Sequence, residues 1–497
     1  SRPARKTLLQ GRLLASILSL CPWHRPKMPS GLAGRLLGAV GLALVDVAAG
    51  GVALEPLAGD AAEDVVSLLQ RDLGKHRRVA RGGPANFWAG KNGDLSRTGA
   101  SAFTAPSNLT AGPKWSFDGG MVRAAPLIDA ERNIYLSTIP GYVYKMSPEG
   151  AILWKYKASD QIPEVPAITD GTLFATSVDG YTFALDTTTG AERWRVKVAS
   201  CSAGDTWSMT ATSSIVVAAV SDLAACSANS YLVALDPKDG SLKWQYRPDT
   251  AIYNFLSAVV EGSLVFADMS GRTYRLEAEH GIVMWKFNKT NPTDFSTGGA
   301  VVGPNRVIYV TSNVKDETGN HGRLSAFDLD TGKRLWFQGT GFEANNAPAV
   351  GALQPSGKGS LSVVVGVGEN PSIPPQRAGH KAGKVLAFDA ETGRMLEWEY
   401  DPPVWEFAAA AGDKVLPLHV CLPDSFSNPA IGGDGTVYIG FQDGHLYAIR
   451  DADGDGKISE SEVTSYDFKN AFQGSPAIAP GMLVATPCNG MHVFTTA

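Results

Sequence analysis

Short apolar runs with alternating side chains recur along this chain, each closed by a polar turn and followed by a tryptophan. The cleanest copy reads Tyr181-Thr182-Phe183-Ala184-Leu185-Asp186, then Thr187-Thr188-Thr189-Gly190-Ala191-Glu192-Arg193-Trp194. Alternation of this kind suits a half-buried strand. The Asp side chain can bond the turn backbone, and Gly supplies the positive φ of a tight hairpin. The frame returns at Ala234 to Trp244, Arg275 to Trp285, Ala326 to Trp336 and, with one extra residue, Ala387 to Trp398. A shortened copy runs from Lys145 to Trp154. Self-similarity at roughly 40 to 50 residues predicts a propeller or a solenoid. The tryptophans are read as packing anchors between neighbouring sheets.

A second pair of strands precedes each copy, for example Pro166-Ala167-Ile168, a turn at Asp170-Gly171, then Thr172 to Ser177. Matching prolines fall at Pro126, Pro348, Pro429 and Pro476. The unit is a four-stranded antiparallel sheet, the blade of a propeller. Trp115, Trp154, Trp194, Trp244, Trp285, Trp336 and Trp398 delimit six complete blades, and a seventh runs from about Asn428 to Phe468 with Tyr466 in the anchor place. Ser475 to Phe494 supplies three further strands, and Gly112 to Phe117 a lone outer strand. Joining the two ends completes an eighth blade and removes the open sheet edges. The predicted fold is all-β: an eight-bladed propeller over 87–497, with seven blades as the alternative.

The pattern Ala-x-Asp-x-x-Thr-Gly-x-x-x-Trp resembles the repeat of pyrroloquinoline-quinone-type propellers. That group holds quinoprotein alcohol dehydrogenases and a non-enzymatic lipoprotein of bacterial outer-membrane assembly, and the resemblance covers about Phe87 to Ala497. For a dehydrogenase it implies a calcium-bound quinone at the propeller centre, an Asp base and, in many members, a disulfide between adjacent cysteines. No two cysteines are adjacent in this chain. The histidines lack regular ligand spacing, with His321, His380 and His419 placed in loops, and no nucleophile elbow or phosphate loop occurs. Calcium is therefore the expected cofactor, and pyrroloquinoline quinone is set behind it.

The calcium expectation rests on Asp451-Ala452-Asp453-Gly454-Asp455-Gly456-Lys457-Ile458-Ser459-Glu460-Ser461-Glu462, which matches an EF-hand loop. Carboxylates stand at positions one, three and five, and the Gly of the sharp turn at six. Lys457 offers a backbone carbonyl, Ser459 a place for a bridging water, and Glu462 a bidentate carboxylate. The loop takes the place of the Asp-x-x-Thr-Gly hairpin in the seventh blade and lacks an entering helix. A structural role is thus expected ahead of signalling.

Of the five cysteines, Cys21 precedes Met28, which is read as the better start of the chain. In the repeat register, Cys201 and Cys226 lie in loops of one face around the third blade, and Cys421 and Cys488 lie in loops of the same face. Two disulfides in these pairs, and an oxidising compartment, are expected. Residues 1–55 read as a leader with a signal peptide or anchor from Met28, an organelle-targeting leader being the further alternative, and 56–86 as a helical linker. Sequons at Asn108 and Asn288 are compatible with glycosylation. A net charge of −5 gives no support for a nucleic-acid partner. Membrane contact is expected only if the leader is kept as an anchor.

Insertions gather at Cys201 and Cys226, at Glu369 to Gln376, and at Asp401 to Ser427, which includes Trp405, Glu406 and Phe407. All should emerge on one face, expected to bind a protein, peptide or glycan. The first expectation for function is a calcium-binding, non-catalytic binding or scaffold module of the secretory pathway. A quinone-dependent oxidoreductase stands second and a calcium-responsive regulator third.

Overall fold

In the second blade the Asp186 Oδ1 atom accepts hydrogen bonds from the Thr188 and Thr189 amides and from the Thr189 hydroxyl. Gly190 adopts φ +72° and returns its N–H to the Asp186 carbonyl. The hairpin so formed pairs Tyr181–Asp186 with Glu192–Lys197, with a bulge that sets Trp194 opposite Ala184. This is the repeat's local chemistry, and it recurs at Asp328–Thr331 and Asp389–Thr392.

The computed structural model describes residues 86–496 apart from 224–225, 289–292, 298, 317–318, 355–358, 370–381, 406–408, 411–420 and 422–424. The expected leader and all of the expected linker but Asn86 lie outside the described residues. Eight antiparallel sheets form eight blades, each running from an inner to an outer strand. In the last, Trp115–Phe117 pairs with Met491–Thr495, so the ring closes as expected and the seven-bladed alternative is excluded. The first blade gains an innermost strand, Asn86–Trp88, on Leu127–Asp129. The fifth extends into a ribbon, Val307–Asp316 against Gly319–Asp328, that the repeat does not announce. His321 lies in that ribbon opposite Val314, not in a loop. His380 and His419 lie outside the described residues.

The core sits between neighbouring sheets. Leu173, Phe183 and Leu185 of the second blade bury against Leu127, Tyr135, Val143 and Trp154 of the first. The anchor indoles also bond across the junctions. Nε1 of Trp115, Trp154, Trp194, Trp244 and Trp285 donates to a hairpin carbonyl of the next blade, of Pro148, Thr187, Pro237, Ala278 and Leu329 respectively. A hairpin glycine lies against each ring. A Cβ on Gly281 would come within 2.7 Å of Trp244.

The segment before Trp115 closes the centre. Its carbonyls accept inner-strand amides from five blades: Ala89 from Ile168, Leu95 from Val259, Ser96 from Val302, Thr98 from Val350 and Gly99 from Ile431. Arg97 is buried at the middle of this strap, bonding the carbonyls of Ser257, Lys91 and Met209 and the Thr210 hydroxyl. Satisfying every guanidinium edge with oxygens is what makes burying that charge tolerable.

Candidate functional site

Inner strands begin at one face of the ring, and the residues just ahead of them converge on the axis. Thr206, Asn254, Thr297, Asn345, Asn346, Asn428 and Gln473 line a cavity of ≈ 20 Å³ there, floored by Lys91 of the strap. That volume holds about one water molecule. The Lys91 Nζ donates to the Thr206 carbonyl at 2.6 Å. Asn428 Nδ2 donates to Asn92 Oδ1 at 2.8 Å, which ties the floor to the strap. The buried Asn346 spends its amide on the Gly366 carbonyl, while its Oδ1 has no partner.

Beside this cavity, Asn254 Oδ1 accepts the amides of Asp205 and Thr206, and the Tyr253 hydroxyl donates to Asp205 Oδ1 at 3.0 Å. Burial pushes the Asp205 carboxyl up, against the opposing pull of Arg123, Tyr253 and Lys91. The same burial lowers the Arg123 guanidinium. Both members are thus held nearer neutrality than they would be in water. A carboxyl, two cations, a phenol and a ring of amides share this mouth. None of these residues stands out in the sequence. The only signal is a polar residue shortly ahead of several inner-strand prolines, as at Asn346 and Asn428.

The calcium-spaced loop lies at the opposite end of the blades, between the third and outer strands of blade seven, His445–Ile449 and Val463–Asp467. Carboxylate oxygens of Asp451, Asp453 and Glu462 lie within 4.8 Å of one another. Asp455 is not part of that trio; its Oδ1 accepts the Lys457 amide at 2.8 Å. Glu462 accepts the amides of Ala452 and Ser459 and the Ser459 hydroxyl. These backbone donors hold its carboxyl at about 2. Lys457 pairs its ammonium with Glu397 at 3.1 Å. A single 3-10 turn, Glu460–Glu462, leads straight into the outer strand.

Both expected cysteine pairs are formed: Cys201–Cys226 with Cα atoms 6.2 Å apart and Cys421–Cys488 with 5.9 Å. Disulfides mark an oxidising compartment. No helix among the described residues is long and apolar enough to cross a membrane. Asn108 and Asn288 are both exposed, and Asn108 Oδ1 accepts the Thr110 amide and hydroxyl. Much of the expected insertions, 370–381, 406–408, 411–420 and 422–424, lies outside the described residues.

The family described as outer membrane protein assembly factor BamB, a PQQ-type repeat family, matches residues 95–338 and 269–495. The chain belongs to this family. Among relatives of this PQQ-repeat chain is the quinoprotein ethanol dehydrogenase of Pseudomonas aeruginosa, 27% identical over 206 residues, 35% of this chain and 31% of the relative. The lanthanide-dependent methanol dehydrogenase of Methylacidiphilum fumariolicum is 30% identical over 118 residues, 21% of this chain and 19% of the relative. The chain thus spans less than two fifths of the length of these curated relatives. BamB from Moraxella catarrhalis shares the fold, with TM-score 0.55 and 18% identity over 78% of this chain and 99% of that one.

These relatives correct the first functional expectation. The sequence alone sets a non-catalytic calcium-binding scaffold ahead of a quinone-dependent oxidoreductase, because the repeat residues are structural and no adjacent cysteines occur. The curated relatives named above are dehydrogenases, and they favour the reading placed second. They also remove the ground for setting the quinone behind calcium.

Proposed function

We propose that this chain is a quinone-dependent oxidoreductase whose reaction site is the axial mouth, with a small alcohol as substrate class. The observation that carries the reading is the convergence of Lys91, Arg123, Asp205, Tyr253 and Asn254 beside the axis. A carboxylated planar quinone asks for cations, a flat polar floor and oxygens for its divalent ion. The residues present fit that chemistry. Arg123 would meet its carboxylates, and the amides of Asn254, Asn345 and Asn428 would form the floor, with the Lys91 cation beneath them. Asp205 and the unpartnered Asn346 Oδ1 would face the ion. The ≈ 20 Å³ cavity is too small for a ring system, so the quinone would rest above it.

When bound, the quinone supplies the acceptor for the electrons of the substrate alcohol. The protein's part is to position and to move a proton. Asp205, held through Oδ1 by the Tyr253 hydroxyl, is the carboxyl that would take the substrate hydroxyl proton. Burial raises the affinity of that carboxyl for the proton it must accept. Purified protein given pyrroloquinoline quinone, calcium and ethanol should reduce an electron-accepting dye, and Asp205→Asn should lower kcat by about 100-fold or more. Absence of substrate-dependent reduction in the parent protein would sink the reading.

Calcium at 451–462 is a separate part of the proposal, supported by the motif and by the trio Asp451, Asp453 and Glu462. A second functional reading is an assembly-factor role of the kind named for the family, supported by the family match along most of the chain. It would use loops of the disulfide-bearing face to bind a protein partner.

A further inference from the structure

Five anchor tryptophans donate their indole N–H to the next blade's hairpin, and Trp398 does not. Its side chain is 2% exposed and its Nε1 atom is buried without a partner. Leaving a buried donor unmade is costly, so a cause is required. Trp336 also lacks a bond, although its facing hairpin is of the ordinary kind and packs Gly393 on its ring; the Ala390 carbonyl at the matching place accepts the Tyr309 hydroxyl. At Trp398 the facing hairpin is the acidic loop.

The repeat frame identifies what is missing. Ala184-Leu185-Asp186-Thr187 aligns with Ala448-Ile449-Arg450-Asp451, and the Arg450 amide bonds Glu462 as the Asp186 amide bonds Ala191. The carbonyl that Thr187 gives to Trp154 is therefore that of Asp451 in blade seven. No loop glycine covers the Trp398 ring either; a Cβ on Gly454 or Gly456 would meet nothing within 4 Å. A groove of ≈ 300 Å³ remains between the two blades, lined by Leu353, Gln354, Leu396, Trp398, Asp451 and Gly456 among others. Across it, Gln354 of blade six holds the Asp451 carboxylate at 2.8 Å.

We propose that calcium binding by Asp451, Asp453 and Glu462 completes the seam between blades six and seven, by bringing the Asp451 carbonyl onto the Trp398 indole N–H. The inference rests on the calcium reading above and is independent of the quinone. The ion would draw the Asp451 carboxylate toward Asp453 and Glu462 and away from Gln354, turning the peptide that follows it. The loop thereby becomes a conditional form of the bond that five other junctions make permanently. Coupling of this kind is reciprocal, so the indole must in turn strengthen calcium binding.

The test is calorimetric titration of the whole protein with calcium chloride, in the parent, in Trp398→Phe, in Trp244→Phe and in Glu462→Gln. Trp398→Phe should weaken calcium about fivefold, the factor carried by one net hydrogen bond. Trp244→Phe, whose bond lies at another junction, should leave the affinity within about twofold. Glu462→Gln should weaken it roughly tenfold or more. Hydrogen exchange of the parent should slow across Met395–Tyr400 when calcium is added. Equal calcium affinity in the parent and Trp398→Phe, with unchanged exchange, would overturn the seam while leaving the calcium site standing. No uptake by the parent would overturn both.

Discussion

Glu164 lies fully buried in the segment leading into blade two, its Oε2 accepting the Thr176 amide and its Oε1 without a partner. Burial pushes this carboxyl well above the usual carboxylate range. The folded state therefore holds a proton that the unfolded state has released, and stability falls as pH rises above about 4.5 toward the raised value. Glu164→Gln removes the ionisation and should flatten this slope. At about pH 8 the variant is expected to be more stable than the parent by roughly 1–3 kcal/mol in urea unfolding. A variant less stable than the parent under those conditions would contradict the assignment. Nothing in the sequence distinguishes Glu164 from a surface glutamate, because its burial depends on Ser137 and Thr176 being folded against it. The same holds for Asp205 and Asn254, which meet only when separate blades bring their loops together. By contrast, the cysteine pairs are readable in advance, since the repeat register assigns each loop to a face.

At the scale of the element, the hairpin glycines have two separable jobs. Gly281 adopts φ +70° and lies on the Trp244 ring, whereas Gly262 adopts φ +69° with nothing within 4 Å of a Cβ. Gly262→Ala should cost about 1 kcal/mol, the strain of a left-handed alanine. Gly281→Ala adds a clash with a buried indole and should cost about 2–4 kcal/mol in the same unfolding measurement. Equal costs would mean that the glycine serves the turn alone. These hairpins are legible because Asp, Thr, Gly and Trp act within a dozen residues of one another. The strap from Ala89 to Gly99 is not. It bonds the inner strands of several blades in turn through main-chain carbonyls, and such bonds leave no side-chain pattern in the sequence.

At the scale of the whole molecule, the ring is closed by Trp115–Phe117 on Met491–Thr495 and its centre is filled by Arg97 and the strap. Closing one end of the axis leaves a shallow polar mouth on the disulfide-bearing face, with Lys91 as its floor. The acidic loop belongs to the other end and stands apart from that chemistry. The blade count and ring closure follow from the repeat, while the non-catalytic function expected from the sequence is corrected by the relatives. On the proposed function, the mouth holds a quinone. Equilibrium titration of the calcium-loaded protein with pyrroloquinoline quinone, followed by tryptophan fluorescence, addresses it directly. One quinone per chain is expected, with roughly tenfold or more weaker binding in Arg123→Gln, in line with the loss of a buried charged contact. No saturable binding, or equal affinity in Arg123→Gln, would contradict it.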